Sequence, residues 1–158
     1  MRRCAIIGHR RIDDSEEIRK RLTGEIEKII LAGVQTFLFG SRSEFNDLCY
    51  EIVCELKKKY SKIERVYVRA EYPKTNEEYD KWLNSHFEKS YYYNDKLKEG
   101  KLKYIKRNEF LINSCDVCLF YYNENYLPKT KSKSGTRLAY EYALKKKKKI
   151  INIKKQGE

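Results

Sequence analysis

Val34-Gln35-Thr36-Phe37-Leu38-Phe39-Gly40-Ser41-Arg42-Ser43-Glu44-Phe45 is the stretch on which the fold turns. An apolar run of strand length stops at a glycine. A turn of small polar residues follows, and Ser43 stands where it can cap a helix. The helix's apolar face is Phe45, Leu48, Ile52 and Leu56, with Cys49 and Val53 beside them.

The pattern recurs on either side. Upstream, Cys4–Ile7 is a short apolar run ending at Gly8, and reads as a buried strand. Ser15–Leu31 follows with Ile18, Leu22, Ile26, Ile29 and Ile30 at helical spacing. Asp14-x-x-Glu17 has capping-box form, and Gly33 suits the helix stop. Downstream, Glu64–Val68 alternates as a third strand, with Val66 and Val68 on one face. Arg69–Gly100 breaks the rhythm; it carries Pro73, Trp82 and Tyr91–Tyr93, and reads as a short helix over Glu77–Ser85 plus a loop. Lys103–Asn113 then predicts a helix, Val117–Tyr122 a fourth strand, Asn123–Lys133 a polar loop, Thr136–Lys147 a helix and Ile150–Ile153 a last strand.

Strands separated by helices imply right-handed crossovers. The expected fold is therefore α/β: a Rossmann-like three-layer sandwich, its mostly parallel sheet of about five strands covered by helices on both faces. Neither a repeat nor a linker divides the chain, so residues 1–153 are expected to form one domain with a tail at 154–158.

Composition bounds the partners. Apolar residues are 41% of the chain, enough for a core, and the 37% that are charged belong on the surface. A formal charge of +12 admits phosphorylated small molecules, nucleic acid or anionic lipid. Much of it sits in Lys57–Lys59 and Lys145–Lys149, which also read as exposed helix ends complementing the helix dipole. The apolar part of the opening MRRCAII is too short for a signal peptide, and no stretch is long enough to span a bilayer. A cytoplasmic protein without a membrane partner is expected. The five cysteines argue against a disulfide framework; Cys115-x-x-Cys118 has metal-like spacing but no second ligand pair, and reads first as two small core hydrophobes. No metal or cofactor is implied.

Ligands of open parallel sheets bind beyond the carboxyl ends of the strands. Four clusters fall there. Gly8–His9–Arg10–Arg11 follows the first strand: glycine allows a close backbone approach, and Arg10 can grip phosphate with two prongs, though an ordinary basic turn reads equally well. Gly40–Ser41–Arg42–Ser43–Glu44 opens a helix, where free amides and the dipole suit an anion; Ser41 and Ser43 add hydroxyls, and Glu44 suits a ribose hydroxyl or the helix start. Arg107–Asn108 lies inside a helix and reads as a solvated face unless that helix points toward the strand ends. Ser134–Gly135–Thr136 again opens a helix with small residues. Neither G-x-G-x-x-G nor G-x-x-x-x-G-K-[ST] occurs, which disfavours an ordinary dinucleotide fold or a P-loop. Of the 14 tyrosines, Tyr121, Tyr122 and Tyr126 flank the last turn and Tyr91–Tyr93 lie in the long segment; one or two could stack on a base.

Taken together, Ala5–Arg10, Phe37–Phe45, Val66–Pro73, the Arg107–Asn108 pair, Phe120–Pro128, Ser134–Thr136 and Tyr140–Ala143 resemble the SLOG superfamily, which includes the Lonely-guy phosphoribohydrolases, DNA-processing protein A and small bacterial SLOG proteins. The resemblance spans nearly the whole chain. It implies a nucleotide-related ligand with its phosphate near Gly40, Ser41, Gly135 and Thr136, and Gly8, Arg10, Arg42, Arg107 and Asn108 lining the same cleft. It also implies a homo-oligomer. Lonely-guy enzymes carry P-G-G-x-G-T-x-x-E with a catalytic Glu. Here Lys131–Ser134 replace the Pro-Gly-Gly stretch and Ala139 stands in place of the Glu. Glu141, two residues on, is rotated by roughly 200° on a helix and is no simple substitute.

The leading expectation is a protein that senses or sequesters a phosphorylated nucleotide or nucleotide-derived signal. The alternatives are an enzyme cleaving an N-glycosidic or phosphoribosyl bond, with Glu44, Glu71 or Glu141 as its carboxylate, and a single-stranded DNA binder.

Overall fold

The computed structural model describes residues 2–13, 15–70, 74–93, 100–125 and 134–154. Asp14, Glu71, Pro73, Tyr126, Lys131–Lys133 and residues 155–158 of the expected tail lie outside the described residues.

Six strands form one sheet: β1 (Arg2–Gly8), β2 (Val34–Phe39), β3 (Glu64–Arg69), β4 (Lys89–Tyr92), β5 (Val117–Tyr121) and β6 (Lys149–Asn152). Five helices alternate with them: α1 (Glu16–Leu31), α2 (Glu44–Lys57), α3 (Glu77–His86), α4 (Lys101–Asn113) and α5 (Gly135–Lys145). Every pairing is parallel, and the strand order is β4-β3-β2-β1-β5-β6. The chain walks outward from β1 to β4, then returns to lay β5 on the other side of β1. The reversal makes the β1/β5 boundary the switch point of the sheet, where a crevice opens at the strand ends.

Strand residues alternate between two cores. Cys4, Ile6, Phe37, Phe39 and Leu119 face one side and pack with Leu22 and Ile26 of α1, Phe45, Leu48 and Val53 of α2, and Leu83 of α3. Ala5, Ile7, Leu38, Val68 and Phe120 face the other, under Leu111 and Ile112 of α4 and Ala139 and Ala143 of α5. This is the expected three-layer sandwich, with both faces of the central strands buried.

The structure departs from the sequence reading in two elements. The long segment hides a sixth strand: Lys89–Tyr92 adds to the edge of β3, with Val68 opposite Tyr91. Three of its four residues are exposed, so it carries no apolar period to betray it. The cap of α1 is Ser15, whose hydroxyl accepts from the Ile18 amide at 3.2 Å, so the capping position lies one residue later than an Asp14 box requires. Among the described residues no helix is long and apolar enough to cross a membrane.

Candidate functional site

A cavity of about 440 Å³ opens at the carboxyl end of the sheet, within the usual range for small-molecule sites. Its walls come from the end of β1, the turn after β2, the first turn of α2, one face of α4 and the start of α5. Gly8, His9, Arg10, Gly40, Ser41, Arg107, Asn108, Ser134, Gly135 and Thr136 all line it, so segments more than 120 residues apart in sequence meet in one place.

At α5, Ser134 is the N-cap: its hydroxyl accepts from the Arg137 amide at 3.1 Å. The amides of Gly135 and Thr136 donate to no acceptor among the described residues. Those are two of the orphan donors of a helix start, at the positive end of its dipole. A Cβ on Gly135 would meet nothing within 4 Å, so this glycine leaves open space at the cavity wall.

At α2 the first of the corresponding donors is engaged, while the Phe45 amide donates to no acceptor among the described residues. Ser43 caps the helix, its Oγ accepting from the Asn46 amide (3.1 Å) and from Asn46 Nδ2 (3.0 Å). The Ser43 amide donates to Ser41 Oγ (3.3 Å), and the Glu44 amide donates to the Arg10 carbonyl (2.8 Å). Glu44 Oε1 accepts from the Ile12 amide at 2.9 Å. Ser43 and Glu44 therefore fasten the loop after β1 onto α2, and neither lines the cavity.

The glycines at the two strand ends are packing residues. A Cβ on Gly8 would overlap the Phe45 ring; one on Gly40 would stand 2.9 Å from Leu111 Cδ1. Their missing side chains admit α2 and α4 to the sheet, and the backbone beside them forms the cavity floor.

His9 is 3% exposed. Its backbone amide donates to the Tyr121 carbonyl (3.3 Å) and its Nε2 accepts from the Asn123 amide (2.9 Å), tying the end of β1 to the end of β5 across the switch point. Burial pushes its pKa down to about 4, which keeps the imidazole neutral and its Nε2 an acceptor. Arg10 is held by its carbonyl, while its exposed guanidinium makes no hydrogen bond or ion pair among the described residues.

Arg107 overturns the solvated-face reading. It is 4% exposed. Its Nη1 donates to the carbonyl oxygens of Gly40 and, at 3.5 Å, of Val68, and its Nε donates to Asn108 Oδ1 (3.0 Å). The side chain thus clamps α4 to the ends of β2 and β3 and places its charge beside the cavity. Arg42 departs the other way. It leaves this cleft for a neighbouring cavity, where its guanidinium lies 4.9 Å over the Trp82 ring and its Nε donates to Asp47 Oδ1 at 3.0 Å.

Two lining residues escape the sequence reading. Tyr104 stands one helical turn before Arg107, on the face that carries Asn108 and Leu111 into the cavity. The i, i+3, i+4, i+7 spacing would have found it had Arg107 been placed first. Asn46 lines the cavity from the first turn of α2. Three of the tyrosines named from sequence are occupied elsewhere: Tyr121 packs on Phe45 and accepts from the Asp13 amide, Tyr122 packs on Tyr140 at 4.7 Å, and Tyr93 lies against Phe110.

Residues 9–157 match the profile of the YspA SLOG family (YpsA). The chain belongs to that family. Among curated proteins none matches it. Within this SLOG protein two of the three candidate carboxylates stand apart from the cavity lining: Glu44 is bound to Ile12, and Glu141 Oε1 accepts from Arg137 Nε at 3.0 Å on the surface of α5, while Glu71 lies outside the described residues. Ala139, at the position of the Lonely-guy Glu, is buried in the core under α5. Cys115 and Cys118 are also core residues, and burial pushes the Cys118 thiol up to about 12. Among the described residues no three His, Cys, Asp or Glu side chains gather as a metal site.

Proposed function

We propose that the protein binds a phosphorylated nucleotide or nucleotide-derived small molecule, for sensing or sequestration. The observation that carries this reading is the convergence at the switch point: the amides of Gly135 and Thr136 and the Arg10 guanidinium, none with a partner among the described residues, border one cavity that also abuts the charge of Arg107. Amide donors at a helix start with a nearby guanidinium suit the oxygens of phosphate. Tyr104 offers a ring on the facing wall. A binder is favoured because neither Glu44 nor Glu141 lines the cavity; Glu71 lies outside the described residues.

The test is to titrate isotope-labelled protein with nucleoside mono- and diphosphates, alongside mass spectrometry of small molecules released from freshly purified protein by heat. A nucleotide-like mass is expected, with the Gly135 and Thr136 amide resonances moving most on titration. Amides that stay still at saturating concentration of every nucleotide would reject the assignment.

A further inference from the structure

A second cavity, about 190 Å³, adjoins the first and shares Ser41 and Asn46 with it. Phe39, Tyr50, Trp82 and Phe87 give it an aromatic wall, while Glu51 and His86 also border it. Asn46 stands between the two spaces, 3% exposed. Its Nδ2 donates to Ser43, but its Oδ1 is buried and accepts no hydrogen bond among the described residues. Native interiors leave few polar atoms unpaired, and one at the border of a ligand cavity calls for a donor from outside the chain.

The indole face is already shown to suit a flat polar group. The Arg42 guanidinium lies over Trp82, held by Asp47 in an ion pair whose side chains are 59% and 44% exposed. Exposed pairs of this kind hold weakly, so Arg42 can swing aside or cap a ring that takes its place.

We propose that this second cavity is the base subsite of the ligand: with the phosphate at the start of α5, the base passes Asn46, donates an N–H to its Oδ1 and lies against Trp82. The inference rests on the phosphate-binding reading above and adds that the ligand carries a planar ring with an N–H donor. A ring bearing such a donor is favoured because a buried acceptor left unpaired penalises any ligand that lacks one.

Trp82 is the chain's single tryptophan, so its emission reports directly on this subsite. The experiment titrates the wild-type protein with AMP, GMP, CMP, UMP and ribose 5-phosphate, measuring affinity by calorimetry and emission by fluorescence. At least one nucleotide should bind and quench Trp82, while ribose 5-phosphate binds with emission unchanged. Asn46→Ala should weaken that nucleotide about tenfold, and Trp82→Leu about ten- to hundredfold, the latter leaving ribose 5-phosphate affinity unaltered. Nucleotide binding with Trp82 emission unchanged overturns the base subsite and leaves the phosphate reading standing, as does binding of ribose 5-phosphate alone. Failure of all five probes to bind overturns both. The fluorescence arm uses the unaltered chain and holds even if a variant does not fold.

Discussion

Two turns of similar composition open helices at the cavity, Gly40–Ser43 before α2 and Ser134–Thr136 before α5, and they end in different states. Both have a serine N-cap accepting from the third residue on. At α2 the surrounding chain takes up one of the two remaining donors, the Glu44 amide going to Arg10 while the Phe45 amide has no partner among the described residues, and the space beside Gly40 is filled by Leu111 and Arg107. At α5 the Gly135 and Thr136 amides are without partners among the described residues, and the glycine faces open space. The same local signal therefore builds a joint in one place and a candidate anion site in the other. A small-residue turn before a helix says that donors exist; whether they remain available depends on what packs against them.

The largest effect should come from removing one donor at the open turn. Proline is well tolerated at the first helical position, and Ser134 already has the extended backbone (φ −66°, ψ 155°) that a following proline demands. Gly135→Pro should thus leave the melting temperature unchanged or raised, yet weaken nucleotide binding about ten- to hundredfold, the worth of a hydrogen bond to a charged group. Unchanged affinity in calorimetry would erase the distinction between the two turns.

The closed side should answer to pH instead. His9 is neutral when folded, with a pKa lowered to about 4 from an ordinary value near 6.5. Between those values the unfolded chain binds the extra proton and the folded one does not, so stability falls as pH drops through this window. The full loss is no more than about 3 kcal/mol. Denaturant melts from pH 7 to pH 4 should show it, and His9→Gln should flatten the slope.

Smaller still, Gly8→Ala should destabilise the fold by about 1–3 kcal/mol through overlap with Phe45, and should weaken binding only as far as the fold shifts. Ser43→Ala should cost about 1 kcal/mol of stability, the usual worth of an N-cap, with nucleotide affinity retained. Denaturation curves read both. A Ser43→Ala protein of normal stability but lost affinity would mean that the α2 turn also holds ligand.

Much of this was legible beforehand. Phe37 and Phe39, Ile6, Leu22 and Phe45 announce their elements by spacing, and all are core residues. The three turns predicted to meet do so at one cavity. What escaped was the placement of long side chains and of weakly patterned segments. Arg42 and Arg107 are alike in sequence. One lies over Trp82 outside the cleft, and the other is buried under it with carbonyl partners from β2 and β3. Nothing within a few residues of either distinguishes them. Strand β4 begins two residues after Phe87 as a lysine, a serine and two tyrosines, and becomes a strand because the edge of β3 offers unpaired backbone groups.

The sequence alone determined the alternation of strands and helices, the serine cap of α2 and the positions of the turns, because each of these depends on hydrogen bonds and apolar spacing within a few residues. Only the tertiary structure decided how many donors each turn keeps, that Tyr104 and Asn46 face the cavity, and that the Asn46 oxygen there has no partner among the described residues. Those outcomes depend on the reversal that lays β5 beside β1 and on contacts between segments far apart in the chain. No local pattern encodes them, since each partner is supplied by a different part of the fold.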